Sequence, residues 1–505
     1  MVTTHAAYDC DVLVVGAGIV GLASAYALTR TAPGARVMVL GKGQNPAGRA
    51  AGPWPDGAGR AGSPSGGAAR SGSAAGGTGP GGRADRSDGA VRGDGAVRGD
   101  GAVRGDGAVR GDGAVRGDGA VRGDGAVHGD RAAVWSGGEA VHSGIQHAPG
   151  TLRARCTVRG AAELAAFCAE HGIAHTVTGE LVVATGSGGL PRLHGLVQRG
   201  RAHGLPVREL GPAQIAEHEP RVRAHAAILV GAGGVCDFAA VSDRLAAEFG
   251  AAGGRIGYDA EVVAVDRRPW GVAVRTSDGR VVRARTLVNC ADGDSGRVAG
   301  LTGDDPGVRI VPLREECYEL TAPGLVRGLV RQVPDPGSPY PGVRLSQGLD
   351  GTVRIGWSVT SAGAEASGRH RPAGRLSRLR APALSRSGVW RAARPAGRQG
   401  VAEAPAASSR QAVARALRRL LPGVAEDDLR PGPSGARTQT AVLRDGTPVD
   451  DFLLRDAPHA VHVLNVPVPA VTAALPLGRE VARRALLRAR ATGWSPLAVE
   501  SGHCV

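Results

Sequence analysis

Apolar and polar positions along this chain alternate between strand-like and helix-like stretches, and the order of those stretches is the first information it offers. "DVLVVGAG" is an unbroken apolar run closing on glycine, the pattern of a buried strand followed by a turn. "IVGLASAYALTR" has helical composition and stops near "APGA", and "VMVLG" is the next strand. "AAELAAFCAEHGI" predicts a second helix with a glycine stop, and "ELVVAT" predicts a strand. "GGRIGYDAEVVAVDRR" and "GVAVRTSDGRVVRARTLVNCA" both predict strand pairs around Gly or Asp-Gly turns, and "GTVRIGWSV" a further strand. "SRQAVARALRRLLPGV" predicts a helix ended by Pro422, and "LGREVARRALLRARATG" a helix near the C-terminus. Strands alternating with helices point to an α/β chain.

Two stretches break the pattern. Residues 89–130 are seven tandem hexapeptides, six "GAVRGD" and a last "GAVHGD", and 45–88 is also rich in Gly, Ala, Ser, Pro and Arg. One valine in six residues cannot bury enough apolar surface to offset the entropy of ordering. We therefore expect 45–130 to be a disordered low-complexity insertion, with a small repeat structure as the alternative. The "RGD" string inside each unit is a product of the repeat and is not read as an adhesion signal. Residues 361–410 are Arg-, Ala-, Ser- and Pro-rich and weakly patterned.

Composition narrows the class. A chain of 505 residues is long enough for a sizeable core and two domains. The formal charge of +15 is carried almost wholly by arginine, with Lys42 the single lysine. Scattered arginine in a chain rich in Ala and Gly reflects coding bias, so no nucleic-acid partner is expected, although a basic field can draw in an anionic substrate. Seven dispersed cysteines with no CxxC spacing predict reduced thiols, without structural disulfides or a metal site. The opening "MVTTHAAYDCD" lacks a basic n-region, and "VLVVGAGIVGLA" is too short and glycine-rich for a transmembrane segment. A soluble, cytoplasmic protein is expected, with "ARALRRLLPG" as a candidate for peripheral membrane contact.

Chemistry enters with "GAGIVG", residues 16–21, which follows a strand and opens a helix. Gly16 permits the tight turn, Gly18 lets a pyrophosphate approach the backbone, and Gly21 lets the helix pack on the strand. Ala17 and Ile19 complete the loop, whose helix N-terminus offers free N–H groups to the anion. A dinucleotide is expected here; a glycine-rich turn without a ligand is the alternative. The acid that ordinarily ends the second strand is missing, since Gly41 stands there. Its loss removes a hydrogen bond to ribose worth about 1.5–3 kcal/mol, one to two decades of affinity. A neighbouring Lys42 by itself would suit a 2′-phosphate.

Together with later segments of the chain, these residues resemble the L-2-hydroxyglutarate oxidases and dehydrogenases, members of the D-amino-acid-oxidase-like flavoenzymes. The resemblance runs through "HSGIQHAPGTLRARC", "GELVVAT", "AEVVAV", "TLVNCA", "VPLREECYEL", "GARTQTAVLRDGTPVDDFLL" and "VHVLNVPVPAVTAALPLG", in order and at family spacing. It implies FAD as cofactor and an FAD-binding Rossmann-like domain interleaved with a mixed-sheet substrate domain. It implies oxidation of a small anionic 2-hydroxy acid by hydride transfer to flavin N5, with oxygen or a quinone-type acceptor taking the electrons. The expected segments are 8–44, 231–300 and 431–495 for the FAD-binding domain, 131–230 for the FAD loop and start of the substrate domain, and 301–430 for the rest of the latter. Carried over, Gly16, Gly18 and Gly21 hold the pyrophosphate and Val262 offers its backbone to adenine. Asn465, Pro467, Thr472 and Ala473 line the isoalloxazine. Arg437 in "GARTQ" holds the substrate carboxylate, for which a guanidinium fork is suited. His142 in "VHSG" takes the hydroxyl proton, and Tyr318 and Gln439 add polar contacts.

Several positions depart from the family pattern. Glu139 and Asp292 replace glycines near the cofactor, "RGEY" has become "REEC", and the "GPNA" after a later strand reads "GWSV". Arg344 replaces a histidine and offers a second anion contact, suited to a dicarboxylate. These changes keep two other readings open: an amino-acid or amine oxidase on the same fold, and a non-catalytic flavin-fold protein.

Overall fold

The computed structural model describes residues 8–44, 139–333, 342–361, 410–432 and 437–494, all within one compact unit. The expected insertion at 45–130 and most of 361–410 lie outside them.

The first sheet is built on Cys10–Val15, whose six residues are all buried. It runs parallel to Val37–Leu40 on one side and to Val281–Asn289 on the other, with Val14 opposite both Val39 and Val288. Apart from Asp11, which pairs with Arg36 and Arg285, the strand is apolar and must be covered on both faces, which is what a parallel sheet between helices provides. Helices Ile19–Thr31 and Ala474–Ala491 supply part of that cover. A Cβ on Gly478 would stand 2.6 Å from the Ala23 backbone, so only glycine allows these helices to approach so closely. The hairpin Gly271–Thr276 with Val281–Asn289 forms as expected. Arg255–Gly257 and Val262–Arg268 do not pair with each other, contrary to expectation. The former joins Val37–Leu40 and the latter pairs with Gly271–Thr276.

The second sheet is mixed and nine-stranded. Its strands come from Glu180–Ala184, Val207–Leu210, Ala226–Val230, Val308–Leu320, Leu329–Gln332, Arg344–Gln347, Val353–Ser361, Leu429–Pro431 and Arg437–Leu443. The last of these was expected in the FAD-binding segment 431–495, but it pairs with Val308–Leu320 in this sheet. Period-2 alternation divides the two faces. Leu181, Val183, Val330, Leu345 and Ile355 join a dry core with Val413, Leu417, Leu420 and Leu421. Opposite strand pairing puts Val182, Arg331, Arg344 and Gly356 in one row on the other face.

The helix Arg410–Leu417 ends short of Pro422. Its buried Val413 and Leu417, with Leu420 and Leu421, pack into the sheet core. The segment 414–423 therefore has its apolar side covered internally and does not present it to a membrane. No described helix is long and apolar enough to cross a membrane.

Candidate active site

The strand–helix turn of the first sheet has the geometry of an anion cradle. Gly16 has φ of +113°, and a Cβ there would lie 2.1 Å from the Cys290 carbonyl oxygen. Gly21 lies so close to the Gly16 carbonyl that any Cβ would strike it. Gly18 precedes the helix Ile19–Thr31 in extended conformation, with no side-chain cap and no acid in the first turn. A Cβ on Gly18 would meet nothing within 4 Å, so the approach to the helix N-terminus is open. A pyrophosphate fits this site by shape and by charge.

Beyond the cradle, the missing acid has a structural cause. A Cβ on Gly41 would stand 2.9 Å from the Ala17 Cβ, so an acid there must displace the loop itself. Carboxylates reach this neighbourhood from elsewhere in the chain. Lys42 Nζ pairs with Asp294 at 2.9 Å, and Arg297 bridges Asp294 (3.6 Å) and Glu261 (3.1 Å). Arg297 also donates to the Val262 carbonyl at 2.8 Å, so the backbone acceptor assigned to adenine already has a partner. Asp292, where the resemblance calls for glycine, has φ of +51°, a left-handed conformation that glycine adopts without strain.

A second cluster lies at the second sheet, beside the helix Leu152–Glu170. Glu180 opens its strand and is 1% exposed. It accepts from the Ser143 hydroxyl and, at 2.7 Å, from Arg331 Nε. The other end of the Arg331 guanidinium meets His142 Nδ1 at 3.2 Å. The His142 amide donates to Thr472 Oγ1 at 3.2 Å. Thr472 is in turn pressed against the helix Leu152–Glu170, because a Cβ on Gly160 would lie 1.9 Å from the Thr472 carbonyl oxygen. On the same helix, Arg153 donates to Asp450 Oδ1 at 2.8 Å and to the Val468 carbonyl. Asp451 caps the helix by accepting from the Leu152 and Arg153 amides.

Electrostatics reflect this crowding. Burial disfavours the Glu180 charge, but the Arg331 guanidinium and the Ser143 hydrogen bond outweigh it and hold the carboxyl ionised. Burial, then Arg331, pushes His142 well below the ordinary imidazole range, and Arg344 and Arg153 add to the effect. His147, 7% exposed with Nε2 unpartnered, is pushed down to about 3 by burial, then by Arg153 and His142. The result is two neutral imidazoles among three arginines.

The remaining expected residues divide. Ala473 is buried beside Thr472, and Pro467 is half-buried in the connection to the last helix. Asn465 is fully buried and spends its amide on structure. It accepts from Ala441 N at 2.8 Å and donates to the Val449 and Asp451 carbonyls, both at 2.9 Å, joining the two sheets. Tyr318 corrects another expectation. It pairs with Ile355 and packs against the dry core, on the face away from Arg331 and Arg344. Gln439 is buried, its Oε1 has no hydrogen-bond partner among the described residues, and that oxygen would lie 3.7 Å from a Cβ on Gly293, beside Asp292. Arg437 begins its strand opposite Arg314.

Sequence reasoning missed Glu180, Arg331, Arg153, Ser143 and His147. A signal existed for the first two, since each is a lone charge in an apolar strand run, "ELVVA" and "LVRQ".

Comparison with known proteins agrees with this architecture. Residues 11–484 match the family model described as "DAO: FAD dependent oxidoreductase". A curated L-2-hydroxyglutarate dehydrogenase of Indibacter alkaliphilus is 34% identical over 352 residues, 69% of this chain and 87% of that protein. One from Salmonella houtenae is 32% identical over 344 residues, covering 68% and 81%. Among solved structures, the dithionite-reduced L-alpha-glycerophosphate oxidase of Mycoplasma pneumoniae with FAD bound aligns with a TM-score of 0.61 at 16% identity. That alignment spans 96% of this chain and 95% of the oxidase.

Proposed function

This chain belongs to the DAO-type FAD-dependent oxidoreductases, and on that footing we propose that it oxidises a small 2-hydroxy acid, L-2-hydroxyglutarate-like, to the 2-oxo acid. The observation that carries the choice of substrate is the cross-strand pair Arg331 and Arg344 beside two neutral histidines. Glu180 balances one of these two guanidinium charges at 2.7 Å, and like charges directly opposite on a sheet repel, so the remaining positive charge favours an anion. The names of the two curated relatives support the same reading.

The open turn Gly16–Gly21 suits the FAD pyrophosphate, and the segment through Pro467, Thr472 and Ala473 is assigned to the ring system. Bound FAD supplies the two-electron acceptor for the hydride from the substrate Cα. The chain's own groups bind and orient. Arg437 is assigned to the carboxylate beside the reacting carbon, where a guanidinium can pair bidentately. Arg344 is assigned to the second carboxylate, which explains an arginine at a position where the family has histidine. His142 is assigned to the substrate hydroxyl, and Gln439 brings a buried, unpartnered amide oxygen to the cofactor loop.

The test is anaerobic reduction of the FAD-loaded protein. L-2-hydroxyglutarate is expected to bleach the flavin, with the D-enantiomer and monocarboxylic 2-hydroxy acids much slower. Reduction by amino acids in preference to hydroxy acids would transfer the protein to amine oxidation. A protein that holds FAD and is reduced by neither class would sink both enzyme readings. Rapid-mixing with oxygen and with a soluble quinone then distinguishes the two acceptor types.

A further inference from the structure

His142 is a residue whose role turns on where one proton sits. Its Nδ1 lies 3.2 Å from a terminal nitrogen of Arg331. A guanidinium only donates, so Nδ1 accepts, and a neutral ring with Nδ1 accepting carries its hydrogen on Nε2. Arg331 is itself held. Glu180 takes its Nε at 2.7 Å, and strand register sets its backbone between Val182 and Arg344. For His142 to accept a proton at Nε2, the hydrogen would have to sit on Nδ1, pointed at a guanidinium N–H.

We propose that Arg331 is a positioning residue that locks His142 in the Nε2–H tautomer, so that the ring donates a hydrogen bond to the substrate oxygen while the hydroxyl proton, released as the hydride leaves, passes to water rather than to the ring. This replaces the role of proton acceptor that the sequence resemblance implies for His142. Among the described residues, cations face the ring from three packed elements. Arg331 and Arg344 act from neighbouring strands, and Arg153 acts from the helix Leu152–Glu170. All three resist a second ring proton, and the neighbouring His147 is neutral. Glu180 favours such a proton, but its two oxygens are engaged by Ser143 and Arg331.

The identity of the substrate oxygen rests on the hydroxy-acid reading above; the tautomer does not. The deciding experiment is a long-range ¹H–¹⁵N correlation spectrum of FAD-loaded protein carrying ¹⁵N-histidine. His142 is assigned by its loss in His142→Gln. The expected result is a single ring hydrogen on Nε2, unchanged from about pH 5.5 to 8, across the ordinary imidazole range. A hydrogen on Nδ1, or a second proton gained in that window, overturns the proposal. Arg331→Met combined with Glu180→Gln avoids stranding a buried charge. In that pair burial still keeps the ring neutral, but with no donor facing Nδ1 it is expected to populate both the Nδ1–H and Nε2–H tautomers, and an unchanged spectrum would remove Arg331 from the account.

Turnover adds a second readout. Gln keeps an N–H at similar reach, so His142→Gln should retain kcat within about tenfold. His142→Leu should lose roughly ten- to a hundredfold, the worth of a hydrogen bond to a charged group. Equal losses in the two variants would return the ring to the role of base. If no hydroxy acid reduces the flavin, the substrate reading fails while the spectrum still decides the tautomer.

Discussion

Arg331→Met tests whether Glu180 is a buried charge that this arginine sustains. Glu180 is 1% exposed and accepts three hydrogen bonds, from the Ser143 hydroxyl and amide and from Arg331 Nε. Methionine fills similar volume, so the change removes charge with little cavity. The carboxylate then faces two options: remain ionised without its partner, or bind a proton. Removing one partner of a buried pair costs about 3–5 kcal/mol. Protonation sets a ceiling on that cost. Against an unfolded carboxyl near 4.3, taking up a proton costs about 4 kcal/mol at pH 7 and about 1 kcal/mol at pH 5. The sign is distinctive. In the variant the folded-state pKa of Glu180 lies above its unfolded value, so stability is lost as pH rises. In the parent it lies below, and that contribution is lost only as pH falls through the acid range. Urea unfolding of the FAD-loaded protein at pH 5 and pH 7 reads both values. Adding Glu180→Gln should recover most of the loss at pH 7. A loss under about 1 kcal/mol at pH 7, or an equal loss at both pH values, would refute the view that Arg331 compensates a buried carboxylate.

Other expectations are as direct. Asp292→Gly relieves a left-handed residue at φ of +51°, and should stabilise the fold by about 1 kcal/mol in urea unfolding while tightening FAD retention; no gain in either would mean the turn is unstrained. Gly16→Val places its side chain against the Cys290 carbonyl, 2.1 Å from the Cβ, so the purified protein should lose its flavin absorbance; full flavin content would refute the close-approach argument. His147 has a folded pKa of about 3 against 6.5, so between those values the unfolded chain binds the extra proton and stability falls as pH drops. Near pH 5 that amounts to about 2 kcal/mol, and His147→Asn should flatten the pH dependence of unfolding by that amount.

Local structure was legible wherever it is set by neighbours in sequence. The first strand, its glycine turn and the helix after it are written in "DVLVVGAGIVG", because an apolar run and three spaced glycines leave the backbone little else to do. The hairpin around Asp278-Gly279 is legible for the same reason. Arg344 could be singled out from its departure alone, and strand register sets it opposite Arg331. The partners of Arg255–Gly257 could not be named, because a three-residue strand carries no information about which edge it joins. Tyr318 failed on parity: its residue type suits a substrate contact, but strand register turns it to the dry face, one residue away from the row that holds Arg344 and Gly356. The partners of Asn465 could not be named either, since its amide is consumed by three backbone groups that only the joined sheets bring near.

What the sequence by itself determined was the cofactor cradle, a device of backbone conformation encoded within six consecutive residues. What only the tertiary structure decided was the proton inventory of the second site. Residues 142, 153, 180, 331 and 344 meet there because parallel and antiparallel registers align distant strands against one helix. A histidine's tautomer depends on which of its nitrogens faces a donor, and that is a fact of packing, not of residue type.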